Sequence, residues 1–377
     1  MKIVAAIDSF KGSLSSVQAG NAVKEAALRV NAAAQVFVRP VADGGEGTVE
    51  ALALESDGEI IEATVKGPLE KSVSARYCIL KNSKTAVIEI SAAAGLTLVP
   101  HERRNPLYTT TYGVGELIKN AIEHGCRHFI IGIGGSATND GGAGMLSALG
   151  FELTDKDGKP ICPGAKGLES LKSISAKNVI SELCECTFRI ACDVTNPLCG
   201  QNGCSAVFAP QKGASAEIIP SMDKWLFNYA EIAKGVSDKA DADLPGAGAA
   251  GGLGFAFSAF TNASLKPGIQ IISEETHLEE YIKNADLVVT GEGRLDAQTV
   301  MGKTPSGVAR LAKKYGKKVI AFSGCVTDDA VICNEHGIDA FFPILRTITT
   351  SDDALNTETA YKNLVETACQ VFRLIEI

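Results

Sequence analysis

One local pattern occurs five times along the chain, and it limits the fold more than any other feature. Each time, a short apolar segment leads into a loop rich in glycine or acidic residues, before the next helical segment. Apolar runs that alternate with helices are typical of a parallel sheet covered by helices. The loops that follow such strands collect at one edge of the sheet, where ligands bind. The five loops are residues 8–13, 43–48, 132–144, 193–197 and 291–303.

The two ends of the chain share the alternation of strand and helix, whereas the middle differs. Residues 59–90 contain three apolar runs joined by short turns, which indicates antiparallel or mixed sheet. The sequence therefore predicts an α/β fold of two lobes. One is a doubly wound parallel sheet made from both chain ends, residues 1–60 and 266–377, and the other is an inserted mixed α/β lobe, residues 61–265. The strands predicted for the two ends are residues 2–7, 35–40, 287–289, 317–322 and 340–342.

Charge and composition argue against several classes of protein. The 377 residues carry a net charge of −8, whereas non-specific nucleic-acid binding needs clustered basic residues. The uncharged residues 244–265 could span a membrane, but their proline and glycines favour a loop followed by a buried helix at 253–260. The eleven cysteines form no CxxC pair, so we expect free thiols and a cytoplasmic location. No nucleic-acid or membrane partner is predicted, and the oligomeric state is left open.

The loops favour phosphoryl transfer that uses ATP and Mg²⁺. Glycine lets backbone N–H groups approach an anion, and helix N-termini add positive partial charge. Carboxylates in the same loops would repel a phosphate, unless Mg²⁺ binds both the Asp oxygens and the phosphates. The five histidines lie in no catalytic pattern, so Asp and Lys are the expected acting groups. This set of residues suits a kinase that acts on a small hydroxylated acid, with an Asp as general base.

One motif supports a different class of enzyme. Residues 132–137 match the G-x-G-x-x-A pattern of dinucleotide-binding proteins, and Glu152 lies where a ribose-binding acid is expected. Asp140 and the glycines after it would interrupt the contact between pyrophosphate and helix. A dinucleotide-dependent hydroxy-acid oxidoreductase is therefore the weaker alternative. Residues 302–304 look like the end of a P-loop, but Ala297 stands where its first glycine is required.

Five long motifs resemble those of the bacterial glycerate kinases of glyoxylate and sugar-acid degradation. They are KIVAAIDSFKGSLSS (2–16), PVADGGEGTVE (40–50), GIGGSATNDGGAG (132–144), CDVTNPL (192–198) and TGEGRLDAQTVMGKTPS (290–306). The resemblance implies ATP-dependent phosphorylation of D-glycerate, with 2-phosphoglycerate as the expected product and 3-phosphoglycerate as the alternative. It also implies one flavodoxin- or Rossmann-like lobe, one mixed lobe and an active site in the cleft between them.

Charged residues of these motifs are assigned to catalysis and to the acceptor substrate. Asp193, at the end of a strand, is the preferred general base, and Asp296 is the alternative base or a metal ligand. Lys11 is expected to bind phosphate or carboxylate and to assist catalysis. Arg294 and Lys303 are expected to bind the carboxylate of glycerate or the β- and γ-phosphates. The other predicted substrate-binding residues are Asp8, Ser9, Asp43 and Glu46, of which the last two orient hydroxyl groups or help to hold Mg²⁺.

The glycine-rich loop 132–144 is assigned to the nucleotide. Its backbone and short polar side chains are predicted to surround the phosphates, and Asp140 is predicted to bind the metal together with Asp296. The predicted nucleotide-binding residues are Gly134, Gly135, Ser136, Thr138 and Asn139.

Overall fold

The chain forms two compact units in a computed structural model that describes residues 1–45, 47–55 and 57–375. The first unit comprises Met1–Asp43, Glu50–Glu55 and Pro267–Ile377, and the second comprises Gly44–Val49 and Ser56–Lys266. The predicted placement of the active site between the lobes stays a prediction.

Strands and helices alternate along most of the chain. The strands are β1 (Lys2–Ala5), β2 (Gln35–Val38), β3 (Glu59–Lys66), β4 (Ser72–Leu80), β5 (Thr85–Glu89), β6 (His128–Gly132), β7 (Glu152–Thr154), β8 (Ser173–Ser175), β9 (Thr187–Ala191), β10 (Ala263–Lys266), β11 (Leu287–Leu295), β12 (Lys318–Val326) and β13 (Ala340–Pro343). The helices are α1 (Ser16–Val30), α2 (Thr48–Glu55), α3 (Ser91–Ala94), α4 (Tyr112–Glu123), α5 (Ala143–Ala148), α6 (Cys204–Phe208), α7 (Ile219–Lys234), α8 (Ala249–Phe260), α9 (Gly268–Glu275), α10 (Leu278–Lys283), α11 (Thr304–Lys314), α12 (Ile332–Glu335), α13 (Ser351–Leu355) and α14 (Thr357–Leu374). Short 3₁₀ helices connect several of them, including Thr299–Met301 and Pro210–Lys212.

The sheet of the first unit is entirely parallel and runs in the order β13-β12-β11-β1-β2. Counted within this unit, that order is 5-4-3-1-2, the arrangement of a flavodoxin-like doubly wound sheet. The order reverses between β1 and β11, and ligands bind beyond the carboxyl ends of the strands at such a reversal. The predicted α/β fold with a doubly wound sheet from both chain ends is confirmed.

Alternating side chains of the central strands explain why helices cover both faces of this sheet. Ile3 and Ile7 pack with α1 and α14 in one apolar core. Val4, which points to the opposite face, is also fully buried. Helix α1 begins where Ser15 caps it, since the Ser15 hydroxyl accepts from the Gln18 N–H and the Gln18 side chain accepts from the Ser15 N–H.

The main sheet of the second unit is mixed, in the order β10-β9-β6-β5-β4-β3. Strands β10, β9, β6 and β5 are parallel, whereas β4 and β3 join as antiparallel neighbours. This agrees with the mixed sheet predicted for the inserted lobe. The antiparallel pair β7 and β8 forms a small separate sheet that the sequence pattern did not predict.

Strand β11 is the clearest difference from the sequence prediction. Residues 290–295 were expected to be a loop, but they continue β11 and pair with β12 as far as Leu295 and Val326. Glycine is unfavourable in strands, yet here it is required, because a Cβ on Gly291 would collide with the Phe322 carbonyl oxygen. The predicted loop is therefore wrong between residues 290 and 295, where pairing with β12 outweighs local preference.

The uncharged stretch folds as a loop and a buried helix, as predicted. Within α8, residues 250–252 have left-handed backbone angles, and regular helix follows from Leu253. In the part of the chain that the structure describes, no helix is long and apolar enough to cross a membrane. All eleven cysteines are free.

Candidate functional site

A group of charged side chains lies where the strand order of the first unit reverses. Asp8 follows β1, is 3% exposed, and donates its backbone N–H to the Gly291 carbonyl oxygen of β11 at 2.9 Å. Its carboxylate accepts the Ser9 N–H at 2.6 Å. The Lys11 ammonium lies 3.1 Å from a carboxylate oxygen of Asp43. The structure thus brings four of the predicted substrate-binding residues together.

Burial and neighbouring charges change the proton affinities in this group. Burial, with the negative charge of Asp43 adding to it, raises the pKa of Asp8 to about 7. For Lys11, burial acts in the opposite direction, but the charges of Asp43, Asp8 and Glu292 raise its pKa above the usual value. The first unit therefore holds a lysine ammonium near a carboxyl group whose pKa is raised to about 7.

Glu292, on β11, links this group to the second predicted set of charges. The Thr299 hydroxyl donates to the Glu292 carboxylate at 2.6 Å. Burial raises the pKa of Glu292, and the charges of Asp296 and Asp43 act in the same direction. Sequence reasoning missed this residue, although it follows an apolar strand and stands between glycines, as the predicted acids do.

Asp296 is held by two cations and by the turn that it begins. Arg294 Nε lies 3.3 Å from one carboxylate oxygen, and Lys303 Nζ lies 3.6 Å from the other. The second oxygen also accepts the Gln298 N–H at 2.9 Å. Because the Arg294 side chain is 62% exposed, its guanidinium is still accessible to an anionic ligand. The structure thus brings together all three residues that were predicted here.

The loop after β6 presents backbone donors that no protein group uses. Among the described residues, the N–H groups of Gly134, Gly135 and Ser136 donate to no acceptor. Gly135 is exposed and has a φ of +71°, which favours glycine. Successive backbone N–H groups without acceptors are the donors from which an anion-binding nest can form. Helix α5 begins only at Ala143, so residues 132–137 do not lead directly into a helix as a dinucleotide fingerprint requires.

A buried lysine that sequence reasoning missed contacts this loop. Lys212 is 2% exposed, and its ammonium donates to the Ser136 hydroxyl oxygen at 2.8 Å and to the Thr138 carbonyl oxygen at 2.7 Å. Nearby, the Asn139 amide donates to the Ser205 hydroxyl oxygen at 2.9 Å. No motif marks Lys212, since it is brought to the loop from 74 residues farther along the chain.

The Asp140 carboxylate, in the same loop, accepts four hydrogen bonds. One carboxylate oxygen accepts the Thr111 N–H and hydroxyl at 2.9 Å each and the Gly144 N–H at 3.2 Å, and the other accepts the Gly142 N–H at 3.1 Å. The residue is fully buried, and burial raises its pKa, although the four hydrogen bonds act against that rise. These contacts favour a structural role for Asp140.

The two predicted metal ligands do not fit a resident Mg²⁺. The carboxylate of Asp140 is used by four donors, and that of Asp296 faces two cations and a backbone N–H. Nor do the described residues contain any group of three or more His, Cys, Asp or Glu side chains able to hold a metal. Mg²⁺ usually binds through one or two carboxylates together with substrate phosphates, so the predicted metal would rest mainly on the nucleotide.

The remaining predicted residues are placed as follows. Asp193 comes two residues after β9 and is half-buried. Glu46 lies outside the described residues. Gly44 in the same motif packs against β9, where a Cβ would collide with the Ala191 side chain. Gly44 therefore allows close packing of the chain. The sequence had suggested instead that the glycines of this loop let the backbone approach an anion.

Fold and site define an α/β protein with a loop of unused backbone N–H groups and a group of carboxylates and cations. Residues 3–376 match the model of the glycerate kinase family. The chain is 50% identical over 364 residues to glycerate 2-kinase of Escherichia coli, covering 97% of this chain and 95% of that protein. It is 47% identical over 375 residues to glycerate kinase of Haemophilus influenzae, covering 100% and 99%.

A solved structure agrees with these relatives. The crystal structure of a protein from Salmonella typhimurium LT2, assigned to glycerate kinase 2, has a TM-score of 0.89, with 46% identity over 100% of this chain and 98% of that one. The chain belongs to the glycerate kinase family. The predicted enzyme class, a phosphotransferase, is confirmed by this membership, and the oxidoreductase alternative has no support.

Proposed function

We propose that the enzyme transfers the γ-phosphoryl group of ATP to D-glycerate and forms 2-phosphoglycerate, with 3-phosphoglycerate as the alternative product. The observation that carries the proposal is that the three N–H groups of residues 134–136 are unused and suit a phosphate. The chain that contains them belongs to the glycerate kinase family. The printed name of the Escherichia coli relative, glycerate 2-kinase, supports the position of transfer.

The donor nucleotide is assigned to the loop after β6. Gly134, Gly135 and Ser136 would bind phosphate oxygens through backbone N–H groups, and the short side chains of Thr138 and Asn139 would complete the loop. Mg²⁺ would accompany ATP and be held chiefly by its phosphates. Bound there, it would offset the charge that develops on the transferring group.

The acceptor is assigned to the charged group of the first unit. Lys11, Arg294 and Lys303 would bind the carboxylate, and Asp43 and Ser9 would orient hydroxyl groups. Asp8 is the general base that we favour, because burial raises its pKa to about 7 and a base works best when its pKa lies near the operating pH. It would take the proton of the attacking hydroxyl group, whose oxygen bonds to the γ-phosphorus while the bond to ADP breaks. Asp193, the base preferred from the sequence, stays a prediction.

Release of ADP with D-glycerate tests the function directly. We expect ADP to form only when D-glycerate and ATP are both present, and ³¹P-coupled NMR to place the phosphate on C2. Phosphate on C3 would replace the proposed product by the alternative. Absence of D-glycerate-dependent ADP release would contradict the proposed reaction.

Replacement of Arg294 tests how the acid is recognised. The planar guanidinium can bind a carboxylate through two hydrogen bonds, whereas glycerol has no carboxylate. We expect Arg294→Met to lower kcat/KM for D-glycerate by about 10- to 100-fold and to change any activity on glycerol little. Arg310→Met, at an exposed arginine of α11, is the matched control. An equal loss for both acceptors would assign Arg294 to the phosphates.

A further inference from the structure

Lys212 is a buried cation without an anionic partner. Its ammonium donates to one hydroxyl oxygen and one carbonyl oxygen, and no carboxylate among the described residues lies within ion-pair distance of it. Lysine is almost never fully buried unless it is paired, because its charge loses hydration. The buried ammonium contacts a loop whose N–H groups are unused. An anion bound to this loop would therefore supply the missing negative charge.

The contact with Ser136 sets the direction in which that hydroxyl can donate. Since the Ser136 oxygen accepts a proton of Lys212, its own proton must be offered to another acceptor. Ser136 is 7% exposed and follows the exposed Gly135. Polarisation by a charged donor strengthens the next hydrogen bond in such a chain. Lys212 thus makes Ser136 a better donor toward a ligand.

Burial lowers the proton affinity of Lys212, but its pKa stays above neutral pH. Burial lowers its pKa to about 8, whereas the charge of Asp140 acts in the opposite direction. Burial raises the pKa of the nearby Tyr229 and of Cys204, so both are neutral at pH 7.

We propose that Lys212 is a positioning residue for the phosphates of the nucleotide. Its ammonium holds Ser136 and the Thr138 carbonyl group in place and supplies the positive charge of the loop. The inference rests on the proposed function, in which this loop binds ATP. It adds a residue that does not belong to any of the motifs and acts through Ser136.

Two replacements test whether the charge of Lys212 is required. Lys212→Gln keeps a donor without the charge, and Lys212→Met removes both. We expect both variants to raise KM for ATP by about 10- to 100-fold and to change KM for D-glycerate by less than about threefold. Lys177→Met, at an exposed lysine of the same unit, should leave both constants unchanged. Calorimetric titration with ATP alone should show the same loss of affinity.

A double-mutant cycle tests whether Lys212 acts through Ser136. We expect Lys212→Gln to cost less ATP affinity in the Ser136→Ala background than in the wild type. Fully additive losses would overturn the link to Ser136. An unchanged affinity for ATP in Lys212→Gln, or a rise in KM for D-glycerate alone, would overturn the inference. Wild-type enzyme that binds ATP but does not phosphorylate D-glycerate would instead contradict the proposed function, and the ATP titration would still decide the role of Lys212.

Discussion

Asp8→Asn is expected to lower kcat by roughly 10²- to 10⁴-fold and, at the same time, to raise the thermal stability of the enzyme. The loss of rate follows because the amide cannot accept the proton of the attacking hydroxyl group, and a positioned base contributes about this factor. Asn has nearly the same shape as Asp, and the Ser9 N–H can still donate to its oxygen. Binding of ATP should therefore be retained.

The gain in stability follows from the sign of the pKa change. Burial and the charge of Asp43 raise the pKa of Asp8 in the folded state to about 7, from 3.8 in its ordinary state. The folded state thus binds the proton more tightly than the unfolded state, and the contribution of Asp8 to the unfolding free energy falls as pH rises from about 4 through about 7. The variant does not have this loss, which is about 4 kcal/mol above pH 7 and vanishes near pH 4.

Two measurements check this prediction. The wild-type kcat/KM should fall as pH drops below about 7, and the difference in melting temperature between Asp8→Asn and wild type should be larger at pH 8 than at pH 5. Asp193→Asn is the comparison, since that residue is the competing base. Near-normal kcat in Asp8→Asn together with a large loss in Asp193→Asn would return the role of base to Asp193. A stability difference that does not depend on pH would contradict the account of burial.

The sequence predicted the fold well because each strand carries its own local signal. Apolar runs bounded by turns marked β3 at Glu59–Lys66 and the strand β6 almost to the residue. Local signals failed at β11, where Gly291 and Gly293 look like a turn, but Gly291 is required by the close approach of β12. Only the neighbouring strand supplies that information, so no pattern within residues 290–295 could have revealed it.

The same limit applies to the candidate site. Asp8, Lys11 and Asp43 were predictable because each follows an apolar strand within a short loop, and the sheet order then brings them together. Lys212 reaches its loop from a distant 3₁₀ helix, and Thr111 reaches Asp140 from the segment before α4. These contacts depend on tertiary packing. The grouping of these loop residues was therefore predictable, whereas the residues that hold the loops in shape were not.

Asp140→Ala is expected to destabilise the enzyme by about 3–5 kcal/mol, a loss typical of removing one partner from a buried, charge-assisted network. The replacement leaves the N–H groups of Thr111, Gly142 and Gly144 without their acceptor inside the protein. Because the loop 132–144 is held by these bonds, its backbone amides should exchange with deuterium faster, and ATP should bind more weakly. Urea unfolding and hydrogen exchange of the second unit measure both effects.

A chelator distinguishes the structural role of Asp140 from the metal-binding role predicted from the sequence. If the carboxylate serves the loop, the loss of stability should be the same with EDTA as with Mg²⁺, since the four hydrogen bonds need no metal. If it serves Mg²⁺, the wild type in EDTA should already be as unstable as the variant. Asp157→Ala removes an exposed aspartate of the same unit and should change stability by less than about 0.5 kcal/mol. Unchanged amide exchange across the loop in Asp140→Ala would show that other contacts hold it, and the unused donors of Gly134, Gly135 and Ser136 would then have to be fixed from Lys212 alone.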